Sequence, residues 1–227
     1  MTHFPFAIVG FDLDGTLVDT SQDIAAAVNH ALEQAGRAPL SVAQVESMVG
    51  GGAKHMFEQA MTATGGCDPD EFRRLYKELL GYYADNVLVH SRLYPGAVEA
   101  IDALRAMGVK TAVATNKFEA MSIKLLAALG VADRFDCVIG GDTLGPGKAK
   151  PDRAPIDAMI ERCGGGRAVF VGDSRYDVEA AHNAGIPAVA VGFGFLHGAI
   201  EALGADAVIE DFDELIATLR SLSQLSS

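Results

Sequence analysis

Two aspartates, Asp12 and Asp14, directly follow a short apolar run and are separated by one residue. The run from Phe6 to Phe11 is typical of a buried strand, and in a strand the side chains of residues i and i+2 point to one face. Two carboxylates buried side by side repel each other and lose hydration, so a cation or a reaction must account for the pair. An Asp-Gly hairpin turn is the alternative, and the lack of a strand pattern after Gly15 disfavours it.

Polar residues also follow three later apolar runs of the chain. They are Thr115 and Asn116 after residues 109–114, Lys148 and Lys150 after residues 137–140, and Asp173 and Asp177 after residues 168–171. The carboxyl ends of parallel strands meet at one edge of a sheet, which is where ligands bind. Hard oxygen ligands beside lysine and hydroxyl donors predict a site for magnesium and a phosphoryl group at this edge.

Two kinds of periodicity predict the elements that position these residues. From Ser21 to about His90 the pattern is helical only, with helices predicted over residues 21–35, 42–49, 54–64 and 69–87. From Pro95 onward predicted helices and strands alternate, among them a helix over residues 178–184 and a strand over residues 188–191. This alternation is typical of a parallel sheet covered on both faces. We therefore predict an α/β fold with a Rossmann-like parallel-sheet core (1–19 and 91–227) and an inserted α-helical cap domain (20–90). Hinges are expected near Val18–Thr20 and Ser91–Gly96.

The composition limits the partners of the chain. With 18 basic and 30 acidic residues among 227, the net charge of −12 argues against nucleic acid or an anionic membrane as a partner. The three cysteines lack the spacing of a disulfide framework or a thiolate metal site. No signal peptide is indicated, and no apolar run approaches the ~18 residues of a membrane span. We expect a cytoplasmic protein, either a monomer or a homodimer.

Four segments resemble, in order, the motifs of the haloacid dehalogenase-like hydrolase superfamily. They are DLDGT at residues 12–16, Thr115, Lys150 followed by Pro151, and GDSRYD at residues 172–177. The likeness spans nearly the whole chain, and the helical insertion resembles the first type of cap in this family. Arg153 departs from the pattern, because relatives more often have proline there. Within the family, the segments VGGGAKHMFEQA and ATNK are similar to those of bacterial phosphatases for 2-phosphoglycolate.

The resemblance implies a role for each matching residue. Asp12 would attack phosphorus and become an aspartyl-phosphate, and Asp14 would act as the acid and then as the base. Thr115 and Lys150, helped by backbone amides around Asn116, would bind the phosphoryl oxygens. The resemblance also implies a set of Mg²⁺ ligands, namely Asp12, the backbone carbonyl of Asp14, Asp173 and Asp177.

The cap is expected to select the substrate, because the core treats phosphate monoesters alike. Gly51 and Lys54 resemble the specificity loop of the family, in which Lys54 would pair with the carboxylate of the substrate. The alternative is a glycine-rich turn between two cap helices with a solvated lysine. Lys117 and Arg175 lie on core loops near the site and are weaker candidates for substrate contact.

The predicted function is hydrolysis of a small phosphate monoester, with 2-phosphoglycolate as the expected substrate. A phosphatase for another small metabolite or a sugar phosphomutase would use the same two aspartates, so both remain open. A dehalogenase does not need Asp14. A phospho-accepting signalling module combines similar residues but needs neither a cap nor the second acid. The stretch GPGKA lacks the spacing of a nucleotide-binding P-loop.

Overall fold

A six-stranded parallel sheet forms the core of the protein in a computed structural model that describes residues 4–195 and 198–225. In chain order the strands are β1 (Ile8–Phe11), β2 (Val18–Asp19), β3 (Arg92–Leu93), β4 (Lys110–Ala114), β5 (Cys137–Ile139), β6 (Ala168–Gly172), β7 (Ala188–Val191) and β8 (Ala207–Ile209). The large sheet has the order β5-β4-β1-β6-β7-β8, and each pair of neighbours in it is parallel. The predicted α/β fold with a parallel sheet is confirmed.

Helices lie between these strands and cover the large sheet. They are α1 (Ser21–Gln34), α2 (Val42–Glu46), α3 (Ala53–Ala63), α4 (Pro69–Asp85), α5 (Ala97–Ala106), α6 (Glu119–Ala128), α7 (Ala154–Arg162), α8 (Arg175–Asn183) and α9 (Leu215–Leu225). Alternate residues of β1 enter two different apolar clusters: Ile8 packs with Met159 of α7, whereas Val9 and Phe11 pack in the other cluster. Both faces of β1 are therefore buried, which explains why its sequence is apolar throughout.

Helices α1 to α4 occupy the stretch between β2 and β3, where the sequence predicts a cap. Helix α4 begins at Pro69 because Asp68 accepts hydrogen bonds from the backbone N–H of Asp70 and Glu71, each at 2.9 Å. Its buried residues Leu75, Leu79 and Tyr83 recur every four positions and form one face. Among the described residues, no helix is both long and apolar enough to cross a membrane.

The two predicted hinge segments contain β2 and β3, which pair with each other. The pairing is antiparallel, with Val18 opposite Leu93 and Asp19 opposite Arg92. A strand therefore does follow Gly15, although the sequence pattern predicts none there, and it pairs with β3 and forms no hairpin with β1. Two-residue strands are too short for a periodic pattern, and their pairing joins distant parts of the chain.

Helix α1 is fastened to the segment before β3 by Asp23. The buried carboxylate of Asp23 accepts hydrogen bonds from the backbone N–H of Val89 (3.0 Å), His90 (2.9 Å) and Ser91 (2.9 Å), and from the Ser91 hydroxyl at 2.7 Å. Burial acts to raise the pKa of Asp23, but these hydrogen bonds outweigh it and hold the pKa below its ordinary value of 3.8.

We expect Asp23→Ala to lower the free energy of unfolding by about 2 kcal/mol at neutral pH, because it removes the acceptor for these donors. Since the pKa is lower in the folded state, the stabilisation is complete above the ordinary pKa and is lost as the pH falls through the folded one. Denaturant titrations of both proteins should therefore converge in acid, with Asp85→Ala, at an exposed site, as the control. A gap that stays constant with pH would contradict this account.

Candidate active site

The candidate site lies where three adjacent strands, β4, β1 and β6, reach their carboxyl ends. Thr115, Asp12 and Asp173 are the first residues after these strands. Backbone hydrogen bonds extend the sheet to this level, from Asp12 N–H to Val171 O and from Thr115 N–H to Ile139 O, each at 2.9 Å. Residues that are far apart in the sequence therefore meet at one edge of the sheet.

Asp12 and Asp14 lie in the turn after β1 and not in the strand itself, because β1 ends at Phe11. Asp12 is 7 % exposed and lies beside Lys150. Asp14 pairs with Lys117, with its two oxygens at 2.9 and 3.0 Å from Nζ. The two aspartates thus line the same cavity but have different cationic partners.

Two glycines allow the loops to close tightly around Asp173. Gly15 has a left-handed φ of 78°, and a Cβ at this position would collide with the Asp173 carboxylate. A Cβ at Gly194 would collide with the Asp173 side chain and with the Gly15 carbonyl. Asp173 is held between them by a hydrogen bond of 2.8 Å from the Phe195 N–H to Oδ2.

Lys150 is the buried cation of the site, with a side chain that is 1 % exposed. Its Nζ lies 3.0 Å from Asp12 Oδ1 and donates a hydrogen bond to Asp177 Oδ1. The Asn116 side chain fixes its backbone: Oδ1 accepts from Lys150 N–H at 2.8 Å, and Nδ2 donates to Lys150 O at 2.9 Å. The Asn116 amide also donates to the Gly50 carbonyl at 2.9 Å, so this side chain positions two loops.

The charges around Lys150 are unbalanced. Burial raises the pKa of Asp12 to about 6, and Lys150 opposes that effect. Burial also raises the pKa of Asp173, and the neighbouring Asp177 and Asp12 raise it further. Burial acts to lower the pKa of Lys150, but Asp12 and Asp177 outweigh it and the pKa is raised. Three buried carboxylates thus share one lysine, which leaves an excess of negative charge.

These carboxylates fit a divalent cation. One ligand atom each from Asp12, Asp173 and Asp177 can be chosen so that all lie within 4.8 Å of one another. Although Asp12 Oδ1 is close to Lys150, it accepts no hydrogen bond of good geometry from the described residues. A hard cation would satisfy this buried oxygen and offset the excess charge.

Asp177 accepts more hydrogen bonds from the described residues than Asp12 or Asp173 does. Its Oδ2 accepts from the Ser174 N–H at 2.9 Å and from the Ser174 hydroxyl at 2.6 Å, which caps α8. This cap starts α8 at Arg175, three residues before the predicted start at Val178. Because Oδ1 accepts from Lys150, Asp177 orients that lysine as well as facing the predicted metal position.

The site opens into a cavity of about 70 Å³ between the sheet edge and helices α1, α3 and α4. The sheet edge contributes Asp12, Asp14, Thr115 and Asp173 to its lining. The side formed by the helices is largely apolar, with residues such as Ile24, Met56 and Leu79. A cavity of this kind suits a small ligand with one strongly polar end.

Not all predicted substrate contacts come together in this arrangement. Gly50 and Gly52 line the cavity, whereas Gly51 packs against His55 and Tyr176. The Lys54 side chain is 70 % exposed and faces Glu58 one turn later in α3, so its predicted contact with the substrate has no support here. Two further basic residues also lie elsewhere: Lys148 faces Asp152 at 3.9 Å, and Arg175 stacks on Tyr176.

Two other residues enter the cavity instead. Lys117, a weak candidate from the sequence, is buried against Asp14 and the Tyr83 ring. Tyr83 was missed altogether, because position 83 continues the apolar face of α4 after Leu75 and Leu79. The available signal was a tyrosine in that pattern, since its hydroxyl needs a partner when the ring is buried.

Known proteins resemble this chain over most of its length. The sequence profile of the haloacid dehalogenase-like hydrolases matches residues 9–191. The phosphoglycolate phosphatase of Caulobacter vibrioides is 40 % identical over 209 residues, which are 91 % of this chain and 87 % of that protein. The phosphoglycolate phosphatase of Mesorhizobium japonicum is 40 % identical over 215 residues, 93 % of this chain and 94 % of the relative.

Solved structures agree with the sequence comparison. A crystal structure of a predicted phosphoglycolate phosphatase from Haemophilus somnus superposes with a TM-score of 0.88 at 32 % identity. The superposition covers 94 % of this chain and 98 % of that one. A second structure, from Lactobacillus delbrueckii, gives a TM-score of 0.82 at 26 % identity over 96 % of this chain and 99 % of the other.

Proposed function

Because this chain belongs to the haloacid dehalogenase-like hydrolases and is a phosphatase, we propose that it hydrolyses 2-phosphoglycolate to glycolate and phosphate with the help of Mg²⁺. The observation that carries the mechanism is the contact between Asp12 and Lys150 at the end of β1, beside Thr115 and Asp173. It provides a carboxylate nucleophile, cationic and hydroxyl donors for phosphoryl oxygens, and a set of metal ligands in one place.

In the first proposed step, a carboxylate oxygen of Asp12 attacks phosphorus and the bond from phosphorus to the ester oxygen breaks. Asp14 gives its proton to the departing alkoxide, and Asp12 becomes an aspartyl-phosphate. Thr115 and Lys150 hold the phosphoryl oxygens and offset their charge. Asp12 is largely ionised at pH 7, because its raised pKa of about 6 still lies below that pH.

In the second proposed step, Asp14 takes a proton from a water molecule as the water oxygen attacks phosphorus. The bond from phosphorus to Asp12 breaks, which releases inorganic phosphate and restores the carboxylate. Asp12, Asp173 and Asp177 would hold Mg²⁺, which supplies positive charge beside the phosphoryl group. We also propose that the backbone carbonyl of Asp14 is a ligand.

Two features support 2-phosphoglycolate as the substrate. The relatives described above carry the name phosphoglycolate phosphatase, and a cavity of about 70 Å³ suits a small molecule. The test is phosphate release from a panel of small phosphate monoesters with Mg²⁺, in which 2-phosphoglycolate should have the highest kcat/KM. A higher value for another ester would identify a phosphatase for another metabolite, and isomerisation of a sugar phosphate would indicate a mutase. Phosphorylation without turnover would indicate a signalling module.

We expect Asp14→Asn to lower steady-state turnover about 10³-fold, because the amide can neither protonate the alkoxide nor activate water. An aryl phosphate with a good leaving group should still phosphorylate Asp12. Stopped-flow measurement should therefore show one burst of phenolate, equal to the enzyme concentration, and then a stall. Near-normal steady-state turnover without a burst would remove Asp14 from the acid–base role.

Mg²⁺ should stabilise the folded protein even without substrate, because it relieves the repulsion among the buried carboxylates. A hundredfold excess over its Kd corresponds to a gain of about 2.7 kcal/mol in unfolding free energy. Thermal unfolding with Mg²⁺, and with Na⁺ at equal ionic strength as the control, measures this gain. Asp173→Asn should abolish most of it, and an undiminished gain in that variant would place the cation elsewhere.

We further propose that residues 20–90 act as a cap domain on a core formed by residues 1–19 and 91–227. The paired strands β2 and β3 lie next to the two points where the chain passes between the core and the cap. They supply a narrow connection between these two parts. From the composition we propose a cytoplasmic location and no nucleic-acid or membrane partner. The choice between monomer and homodimer stays a prediction that sedimentation would test.

A further inference from the structure

Lys117 and Tyr83 are polar side chains of the cavity that have no part in the proposed mechanism. Lys117 comes from the loop after β4, and Tyr83 comes from α4. The two side chains are in contact in the cavity wall, with Lys117 Nζ 4.4 Å from the centre of the Tyr83 ring. Among the described residues that line the cavity, Lys117 is the one cation, because the more deeply buried Lys150 is not part of the lining.

The hydroxyl of Tyr83 is a buried polar group that lacks a well-placed hydrogen-bond partner among the described residues. Tyr83 is 7 % exposed, and its Oη is buried and makes no hydrogen bond of good geometry within the part of the chain that the structure describes. Burying a hydroxyl without a hydrogen bond costs folding free energy, so native structures rarely retain one without a reason. An anionic ligand in the cavity would supply the missing acceptor.

The position of Lys117 shows which part of a ligand it can reach. Its Nζ lies 2.9 Å from Asp14 Oδ1, and Asp14 acts on the ester oxygen in the proposed mechanism. A group one carbon away from that oxygen would therefore lie next to Lys117. In 2-phosphoglycolate this group is the carboxylate, which is separated from the ester oxygen by a single CH₂.

The surrounding walls strengthen this interaction. Ile24, Leu79 and Met121 are among the apolar residues that line the cavity. In such a low-dielectric setting, attraction between opposite charges is stronger than in water.

We propose that Lys117 and Tyr83 form the subsite that recognises the carboxylate of the substrate, Lys117 by its charge and Tyr83 by donating its hydroxyl proton. The inference rests on the proposed function, because it assigns the carboxylate of 2-phosphoglycolate to these residues. It also gives the role predicted for the exposed Lys54 to a buried lysine of the core. Tyr83 from the helical insertion and Lys117 from the sheet edge would then bind the same carboxylate.

The test compares Tyr83→Phe with the wild-type enzyme on two matched pairs of esters. In each pair one ester carries a carboxylate, here called the acidic member, and in the other a methyl group replaces it, here called the neutral member. The pairs are 2-phosphoglycolate with ethyl phosphate, and 2-phospholactate with isopropyl phosphate. Tyr83→Phe should reduce the preference for the acidic member, measured as a ratio of kcat/KM values, about tenfold in both pairs. The change should appear mainly in KM, and the melting temperature should not fall, because the lost hydroxyl makes no hydrogen bond of good geometry with the described residues.

Tyr82→Phe is the matched control, because Tyr82 lies on the same helix and stacks on His30. It should keep the wild-type preference. Lys117→Met should slow both members of each pair, since Lys117 also contacts Asp14, and should reduce the preference about a hundredfold. A Tyr83→Phe enzyme that keeps the wild-type preference, or that loses activity equally on acidic and neutral esters, would overturn the subsite.

The same data separate the two proposals. If the wild-type enzyme does not favour 2-phosphoglycolate among the phosphate esters, the proposed function fails. The carboxylate subsite fails when the preference within the matched pairs does not depend on Tyr83. Binding of glycolate to the resting enzyme gives a readout without turnover: its Kd should rise about tenfold in Tyr83→Phe and stay unchanged in Tyr82→Phe.

Discussion

Asp12→Asn should abolish hydrolysis, with a loss of about 10⁴-fold or more in kcat, because an amide cannot form the acyl phosphate. The protein should fold normally, since asparagine has nearly the same shape as aspartate. Its stability without metal should equal or exceed that of the wild type, because one of three crowded carboxylates is gone. Lost activity with retained stability would therefore assign Asp12 to the chemistry and not to the fold.

The measurements are phosphate release, thermal unfolding and acid-quenched labelling with radioactive substrate. Label should accumulate on the wild-type protein and be absent from Asp12→Asn. Asp133→Asn, at an exposed position, controls for the loss of one negative charge. Turnover close to that of the wild type in Asp12→Asn would refute the covalent mechanism.

Lys150→Met should impair both stability and activity. It removes the buried cation that lies among Asp12, Asp173 and Asp177. Leaving buried charges uncompensated should lower the free energy of unfolding by about 4 kcal/mol without divalent cations. Activity should fall about 10³-fold, because a donor to the phosphoryl oxygens is lost.

The pH dependence of this deficit has a definite sign. Asp12 and Asp173 have raised pKa values in the folded protein, so their charged forms oppose folding. In the wild type this penalty grows as the pH rises from the ordinary pKa of 3.8 to the folded pKa, about 6 for Asp12, and it is relieved as the pH falls again. Because Lys150 lowers the pKa of Asp12, its removal raises that pKa further, and the relief in the variant begins at a higher pH. Urea titrations of Lys150→Met should therefore approach those of the wild type in mild acid, and Mg²⁺ should reduce the deficit at neutral pH.

Lys148→Met is the control for both effects, because Lys148 lies in the same loop and is largely exposed. It should match the wild type in stability and in kcat. A Lys150→Met protein as stable as Lys148→Met in the absence of metal would show that the three carboxylates do not depend on the lysine for their charge balance.

The elements that carry the strongest periodic patterns could be predicted from the sequence. Strand β7 matches its predicted bounds, and α4 starts at the predicted Pro69, because apolar runs and capping residues are local signals. The start of α8 was missed, since it depends on the contact between Ser174 and Asp177. The pairing of β2 with β3 was also missed, because it joins segments that are distant in the chain.

The same distinction holds for the candidate site. The acidic, hydroxyl and lysine residues at the sheet edge follow from parallel topology, which places strand ends together whatever lies between them. The identity of the residues in the cavity wall does not follow from this topology, because it depends on how the helices pack against the core. The sequence therefore favoured Lys54 in a recognisable loop, whereas the structure places Lys117 and Tyr83 in the cavity.

The Asn116 amide has a mechanical consequence. Its NH₂ group binds the carbonyls of Gly50 and Lys150 together, and its oxygen receives the Lys150 N–H. A displacement of Gly50 would therefore strain the hydrogen bonds that hold the backbone of Lys150, the lysine that faces Asp12. One amide group thus joins the glycine loop at the cavity to the residue that supplies the cation beside Asp12.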